Sequence, residues 1–139
     1  MNSSDGEWEK TWAKVIKDPL DFASWESLVK LAEGVKSFQD QDKENLRTVY
    51  NHFLGKFPLL FGYWKKYADW EATMAGTDAA SEVYEKGVSS IHNSVDLWVF
   101  YLTFKMEKAF KSPDETRELF ERGMQLFIIT FCSSLLKLI

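Results

Sequence analysis

Cysteine and histidine are close to missing from this chain. Its 139 residues include a single cysteine, Cys132, and two histidines, His52 and His92. One cysteine excludes an intrachain disulfide framework and fits a reducing compartment. The histidines stand 40 residues apart, with no second ligand at metal-binding spacing. No glycine-rich phosphate loop, nucleophile elbow or Cys–His pair is present. The carboxylates are scattered along polar stretches and often neighbour lysines, as on solvated helices. These gaps argue against an enzyme, and no metal or cofactor is expected. A run of basic residues is missing too, and the net charge is −4. Proteins that neutralise many phosphates show a basic face, so direct RNA binding is disfavoured. The start, Met1 to Gly6, is polar and acidic and is no secretory signal.

What the chain has in quantity is aromatic rings. Six Trp and eleven Phe must find burial within one compact domain or a few stacked helical repeats. Their spacing shows where. In Phe61–Glu71, Trp64, Tyr67 and Trp70 recur every three residues and fall along one helical stripe. Similar stripes surround Trp25 and Trp98.

Residues 1–6 read as a flexible lead. Trp8, Trp12, Val15 and Ile16 then predict an amphipathic helix over 7–17, ended by Asp18-Pro19. A first unit, about 19–57, pairs a helix A through Trp25, Leu28, Leu31 and Ala32, reaching Val35, with a helix B. A polar break at Lys36–Asp42 separates them. Helix B carries Leu46, Val49, Tyr50, Phe53 and Leu54, with Gly55 as its expected C-terminal cap. The second unit, about 58–91, has Trp64, Tyr67 and Trp70 in helix A, which stops near Gly76. Thr77 or Asp78 is the expected cap of a helix B holding Ala80, Val83, Tyr84, Gly87 and Val88. The third, about 92–123, has Trp98, Tyr101 and Phe104, then Leu119, Phe120 and Gly123. Ser112-Pro113-Asp114-Glu115 marks its second helix as a capping box.

The intervals are those of a repeat. Trp25 to Trp64 is 39 residues, Trp64 to Trp98 is 34, Tyr50 to Tyr84 is 34 and Tyr84 to Phe120 is 36. Periods of this size built from two helices predict an all-α fold, a right-handed solenoid of helical hairpins resembling tetratricopeptide arrays, with about three repeats behind an N-terminal helix. Val83-Tyr84-Glu85-Lys86-Gly87 aligns with Leu119-Phe120-Glu121-Arg122-Gly123. Pro19 and Pro58 each precede a helix-A Trp by six residues, whereas His92 holds that place in the third unit, and Lys105 replaces Glu71 seven residues after the Trp.

The expected repeat core is Trp25, Trp64, Trp98, Tyr67, Tyr101, Trp70, Tyr50, Tyr84 and Phe120, with Pro19 and Pro58 turning the chain. Gly87 and Gly123 are expected where helices approach too closely for a side chain, and Phe53 in the equivalent place implies a different spacing in the first unit. Core packing outweighs ligand stacking for these rings, because the helical stripe already accounts for them. Lys65, Lys66 and Asp69 fall on the other face of the middle helix A and are the candidates for partner contact.

Trp-x-x-Tyr-x-x-Trp-Glu in helix A, Val-Tyr-Glu-Lys-Gly in helix B and a proline between units resemble the HAT (half-a-tetratricopeptide) repeat family. Within it, Trp12–Trp25, Gly62–Asp69 and Ser94–Trp98 resemble the N-terminal region of the pre-mRNA-processing factor 39 family. The resemblance covers about 7–123. It implies a nuclear protein-interaction scaffold in pre-mRNA splicing, with proteins of the U1 small nuclear ribonucleoprotein as partners in 5′ splice site recognition. A generic peptide-binding or co-chaperone repeat is the alternative. Family members are longer, so the chain resembles a truncated form with a divergent end.

That end, 124–139, is apolar and expected to be helical. Phe127, Phe131 and Leu135 share a face that could cover the open end of the stack, or could stay unpaired and promote association. Self-association is expected, if anywhere, at this tail or at the ends of the solenoid. A membrane anchor is disfavoured: sixteen residues containing Gln125, two serines and Lys137 fall short of the ~20 apolar residues a span needs.

Overall fold

Each helix A begins three residues before its tryptophan, and that shared start organises the fold. A computed structural model of the chain describes residues 3–35 and 39–138. It is all-α, a helical-repeat fold with no strand among those residues: α1 (Ser3–Lys17), α2 (Phe22–Glu33), α3 (Asp40–Lys56), α4 (Phe61–Ala75), α5 (Thr77–Ser90), α6 (Val95–Glu107) and α7 (Pro113–Leu138). The chain divides into two compact units, 1–57 and 58–139. The first holds α1 packed on α2 and α2 on α3; the second holds the α4–α5 hairpin, α6 against both of its helices, and α7 against α6.

The start of helix A is fixed twice over. The backbone N–H of Trp25, Trp64 and Trp98 donates to the carbonyl four residues back, at Asp21, Leu60 and Ser94, over 3.2–3.3 Å. The indole Nε1–H of the same residue donates to the carbonyl six residues back. Those bonds are 2.8 Å from Trp25 to Pro19, 2.9 Å from Trp64 to Pro58 and 2.9 Å from Trp98 to His92. A buried ring with a polar edge needs such an acceptor. Because the acceptor is a backbone oxygen, His92 serves as well as proline.

Helix B closes over the ring. A Cβ at Gly87 would lie 3.1 Å from Cδ2 of Trp64 and 3.0 Å from Cδ2 of Leu97, and one at Gly123 would lie 3.2 Å from Cε3 of Trp98. In the first unit Phe53 occupies the equivalent place, and its ring stacks on Trp25 at 6.1 Å between centroids. Phe22 and Phe57 complete that cluster, and Trp12 of α1 meets Trp25 edge-on.

Several local expectations change. Helix α1 starts at Ser3, so residues 3–6 are helical rather than a loose lead. Ile16 turns to solvent while Val15 is buried. The first helix A ends at Glu33, short of Val35, and α3 begins at Asp40 within the expected break, of which 36–38 lie outside the described residues. Gly55 lies inside α3, where the cap is Phe57. Gly76, at φ +99°, is both the end of α4 and the start of α5, which Thr77 and Asp78 do not cap. Only a glycine adopts that left-handed turn without strain. Ser112 does accept the Glu115 N–H at 3.2 Å. The return half of that box is missing, because the Glu115 carboxylate pairs with Lys105 at 3.0 Å.

The tail prolongs α7 without folding back. Of the face expected to cover the end of the stack, Phe127 is half-buried and Leu135 is exposed, while the side chain of Phe131 lies outside the described residues. Pro113–Lys137 is long and apolar enough to cross a membrane by length and composition. Its first turns are committed elsewhere, since Leu119 is buried and Gly123 meets Trp98.

Three substitutions test this packing. Trp64→Ala removes both ring and indole bond and should cost ~3–5 kcal/mol in urea denaturation followed by circular dichroism. Gly87→Ala should destabilise by ~1–3 kcal/mol despite better helix propensity, because the ring it meets is anchored. Gly55→Ala, with open space at its Cβ, should be neutral or stabilising by up to ~1 kcal/mol.

Candidate protein-docking surface

The repeated run Tyr84-Glu85-Lys86-Gly87 places three functions on α5 in succession. Gly87 faces the tryptophan of its own unit, while Tyr84 and Glu85 face the next. Tyr101 of α6 stacks on Tyr84 at 5.1 Å and 10° between ring planes, and Phe104 lies 5.3 Å from the same ring. The Tyr101 hydroxyl donates to Oε1 of Glu85 at 2.7 Å. Arg122 of α7 grips both oxygens of Glu85 at 2.9 and 3.0 Å, and its guanidinium lies 5.6 Å from the Trp98 ring centroid. One carboxylate therefore ties together three helices.

The electrostatics follow this geometry. Hydrogen bonds from Arg122 hold the Glu85 carboxyl below its usual range, and the Tyr101 hydroxyl adds to them against the opposing effect of burial. Arg122 is raised by the same bonds. Burial pushes the hydroxyls of Tyr84 and Tyr101 up; Asp69 adds to the first and Glu85 to the second.

Most rings expected in the core are there. Trp25, Trp64, Trp98, Tyr67, Tyr101, Tyr50 and Tyr84 are buried, and the Tyr50 hydroxyl donates to Glu33. Pro19 and Pro58 are half-buried and present their carbonyls to the indoles. Trp70 is half-buried. Phe120 is the correction, at 53% exposed. It is the counterpart of Tyr84, but among the described residues no further helix supplies the rings that cover Tyr84.

The same contrast produces a groove. Ala68 of α4 and Ala80 and Tyr84 of α5 are buried, and α6 packs on both helices. Their counterparts one unit on, Leu102, Thr116 and Phe120, line an open apolar groove of about 600 Å³ with Val99, Met106 and Phe110.

The three candidate contact residues separate. Lys65 pairs with Asp69 at 2.7 Å, and its ammonium lies 5.7 Å from the Phe100 ring of α6. Both side chains are thus engaged at the seam between α4 and α6. Lys66 is exposed and lies over Tyr63, 5.6 Å from the ring centroid. Of the histidines, His52 meets the Thr48 carbonyl at 2.8 Å and the edge of Trp12, and His92 contributes its backbone oxygen. Among the described residues no three His, Cys, Asp or Glu side chains gather as metal ligands.

The family described as PRP39 N-terminal HAT repeat matches residues 9–136. The chain belongs to that family. The match runs past Gly123 and takes in most of the apolar end. Among similar proteins, Pre-mRNA-processing factor 39 of Schizosaccharomyces pombe is 45% identical over 136 residues, covering 94% of this chain and 22% of the relative. Its namesake in Homo sapiens is 36% identical over 110 residues, covering 79% of the chain and 16% of the relative. Protein suppressor of forked of Drosophila melanogaster is 27% identical over 89 residues, 64% of the chain and 11% of the relative. The chain therefore spans about a fifth or less of the length of these curated relatives.

Sequence reasoning overlooked the Glu85–Arg122 bridge within this HAT array. Its signal was present in the aligned Glu-Lys-Gly and Glu-Arg-Gly runs, since the basic residue of one unit falls beside the glutamate of the unit before.

The depressed Glu85 carboxyl makes stability pH-dependent with a definite sign. Its contribution is present above the ordinary glutamate value of 4.5 and is lost as pH falls through the lower folded-state value. Thermal unfolding should show Glu85→Gln melting below the wild type at pH 7, with the gap narrowing toward about pH 3. An equal gap at both pH values would mean that Glu85 is not the titrating group.

Proposed function

We propose that the chain is a protein-interaction scaffold of pre-mRNA splicing. The observation that carries this reading is the family match across 9–136, joined to the 45% identity with a protein named Pre-mRNA-processing factor 39. Proteins of the U1 small nuclear ribonucleoprotein are its partners, in 5′ splice site recognition, and it works in the nucleus. The chemistry of the fold supports contacts rather than catalysis. Its most perturbed titratable groups, Tyr84, Tyr101, Glu85 and Arg122, are spent on one another between units. A net charge of −4 favours protein partners over direct RNA contact. Lys66 is the exposed member of the candidate contact set and belongs to the partner-facing surface of α4.

Affinity purification of the tagged chain from nuclear extract should recover U1-associated proteins, before and after ribonuclease treatment. Recovery of no splicing component would overturn the reading; recovery that vanished with ribonuclease would replace protein contact by RNA.

A further inference from the structure

We infer that the groove between α1 and α2 is a docking site for an acidic, extended segment of a partner protein. The repeat register shows what this groove replaces. Eighteen, fifteen and eleven residues before the next helix-A tryptophan, α3 carries Leu46, Val49 and Phe53, and α5 carries Ala80, Val83 and Gly87. All six are buried. At the same distances before Trp25, α1 carries Glu7, Lys10 and Lys14, all exposed. Helix α1 thus holds the place of a helix B, packed on the helix A that follows it, with its other apolar face exchanged for charge. Those three residues, with Thr11 of α1 and Ser27, Lys30 and Leu31 of α2, line a groove of about 460 Å³. Stacked repeats hold together by burying apolar faces, and enclosing three ammonium groups beneath a helix would be strongly unfavourable. The lining therefore does not suit a further HAT helix, whether from the same protein or from another.

What it does suit follows from its polar groups. Neither Lys10 nor Lys14 meets a carboxylate among the described residues, and Lys30 reaches Glu26 only at 3.8 Å, with both side chains solvated. Thr11 and Ser27 spend their hydroxyl protons on the carbonyls of Glu7 at 2.8 Å and Ala23 at 3.0 Å, which leaves their oxygens as acceptors. The groove thus offers ammonium groups in excess, acceptors beside them and the apolar flank of Leu31. An acidic peptide answers each of these. Its carboxylates meet the lysines, and its main-chain N–H groups meet the hydroxyl oxygens and Glu7. A phosphodiester answers only the lysines, because it accepts hydrogen bonds and donates none. Lys10 and Lys14 stand one turn apart, ~6 Å along α1, close to the ~6.8 Å between alternate side chains of an extended chain. Acidic residues at alternate positions therefore reach both. Acids of this chain's own helix starts are engaged where they stand: Asp42 accepts the Gln39 N–H at 2.9 Å, and Glu115 holds Lys105.

The inference takes from the proposed function only that the partner is a protein, and its test needs no nuclear extract. A fluorescently labelled peptide alternating glutamate with serine is titrated with the 139-residue chain and followed by anisotropy. Saturable binding that weakens as salt rises is expected. Lys10→Gln, Lys14→Gln and Lys30→Gln should each weaken it about two- to fivefold, and the first two together about tenfold. Lys86→Gln, which removes an exposed charge from α5, should leave it unchanged. All four lysines are exposed, so circular dichroism should show every variant folded as the wild type. Absence of saturable binding, equal binding by a peptide with glutamine in place of glutamate, or equal weakening by Lys86→Gln would overturn the proposal. So would tighter binding of oligouridylate than of the peptide through the same lysines, which would make the groove an RNA site. Self-association in sedimentation that depends on Lys10 and Lys14 and excludes the peptide would overturn it as well. Loss of splicing proteins from the affinity purification with peptide binding intact would count against the splicing role alone.

Discussion

An indole N–H bonded to the carbonyl six residues earlier is the contact on which the rest depends. It occurs at Trp25, Trp64 and Trp98 with lengths of 2.8–2.9 Å. A tryptophan ring is the largest apolar body available, but burying its N–H without an acceptor would cost about 1–3 kcal/mol. The turn that opens each helix A places a free carbonyl where the ring edge arrives. The bond therefore does more than satisfy a donor. It sets where helix A begins, how the chain enters it and which ring face is offered to helix B. Proline suits the acceptor position because it bends the chain there, yet only its oxygen is used.

The ring face then sets the spacing of each hairpin. Where helix B brings Gly87 or Gly123, its backbone comes close enough that even a methyl group would press on the indole. Where it brings Phe53, two aromatic rings stand with their centroids 6.1 Å apart and draw in Phe22 and Phe57. The same tryptophan thus supports two hairpin geometries. The choice lies in one residue of the facing helix, whose side-chain volume must be accommodated because protein interiors are close-packed.

This explains which features could be read from sequence. The helices, their pairing and the Trp–Gly contacts rest on periodicity and on residues unusual enough to mark a position. Periodicity reports which residues share a face, but not whether anything covers that face. Phe120 and Tyr84 have equivalent positions and opposite exposure, because among the described residues a following helix A lies over Tyr84 and none lies over Phe120. Ile16 failed for the same reason, at the edge of the α1 stripe. Lys65 and Asp69 were read only as a polar face open to a partner, and their pairing with one another follows from the i, i+4 spacing of opposite charges. The Glu85–Arg122 bridge spans 37 residues and was visible only as the shift between two aligned motifs.

The exchange of Glu71 for Lys105 shows how far such frames can vary. Both side chains are largely buried, at the same distance from their tryptophans. A buried ammonium ion without a counter-charge would be strongly unfavourable. Lys105 is accommodated because Glu115, at the start of α7, reaches it at 3.0 Å. That carboxylate would otherwise have completed the capping box with Ser112. The return half of a capping box has thus been given up for a bridge between helices, and the charge at the Trp+7 position has reversed without disturbing the indole bond of the unit. Ring and carbonyl are the fixed requirements, whereas the polar links around them can be rewritten in compensating pairs. A repeat governed in this way can keep its packing while changing the charges it presents, which is the freedom that a stack of interaction surfaces requires.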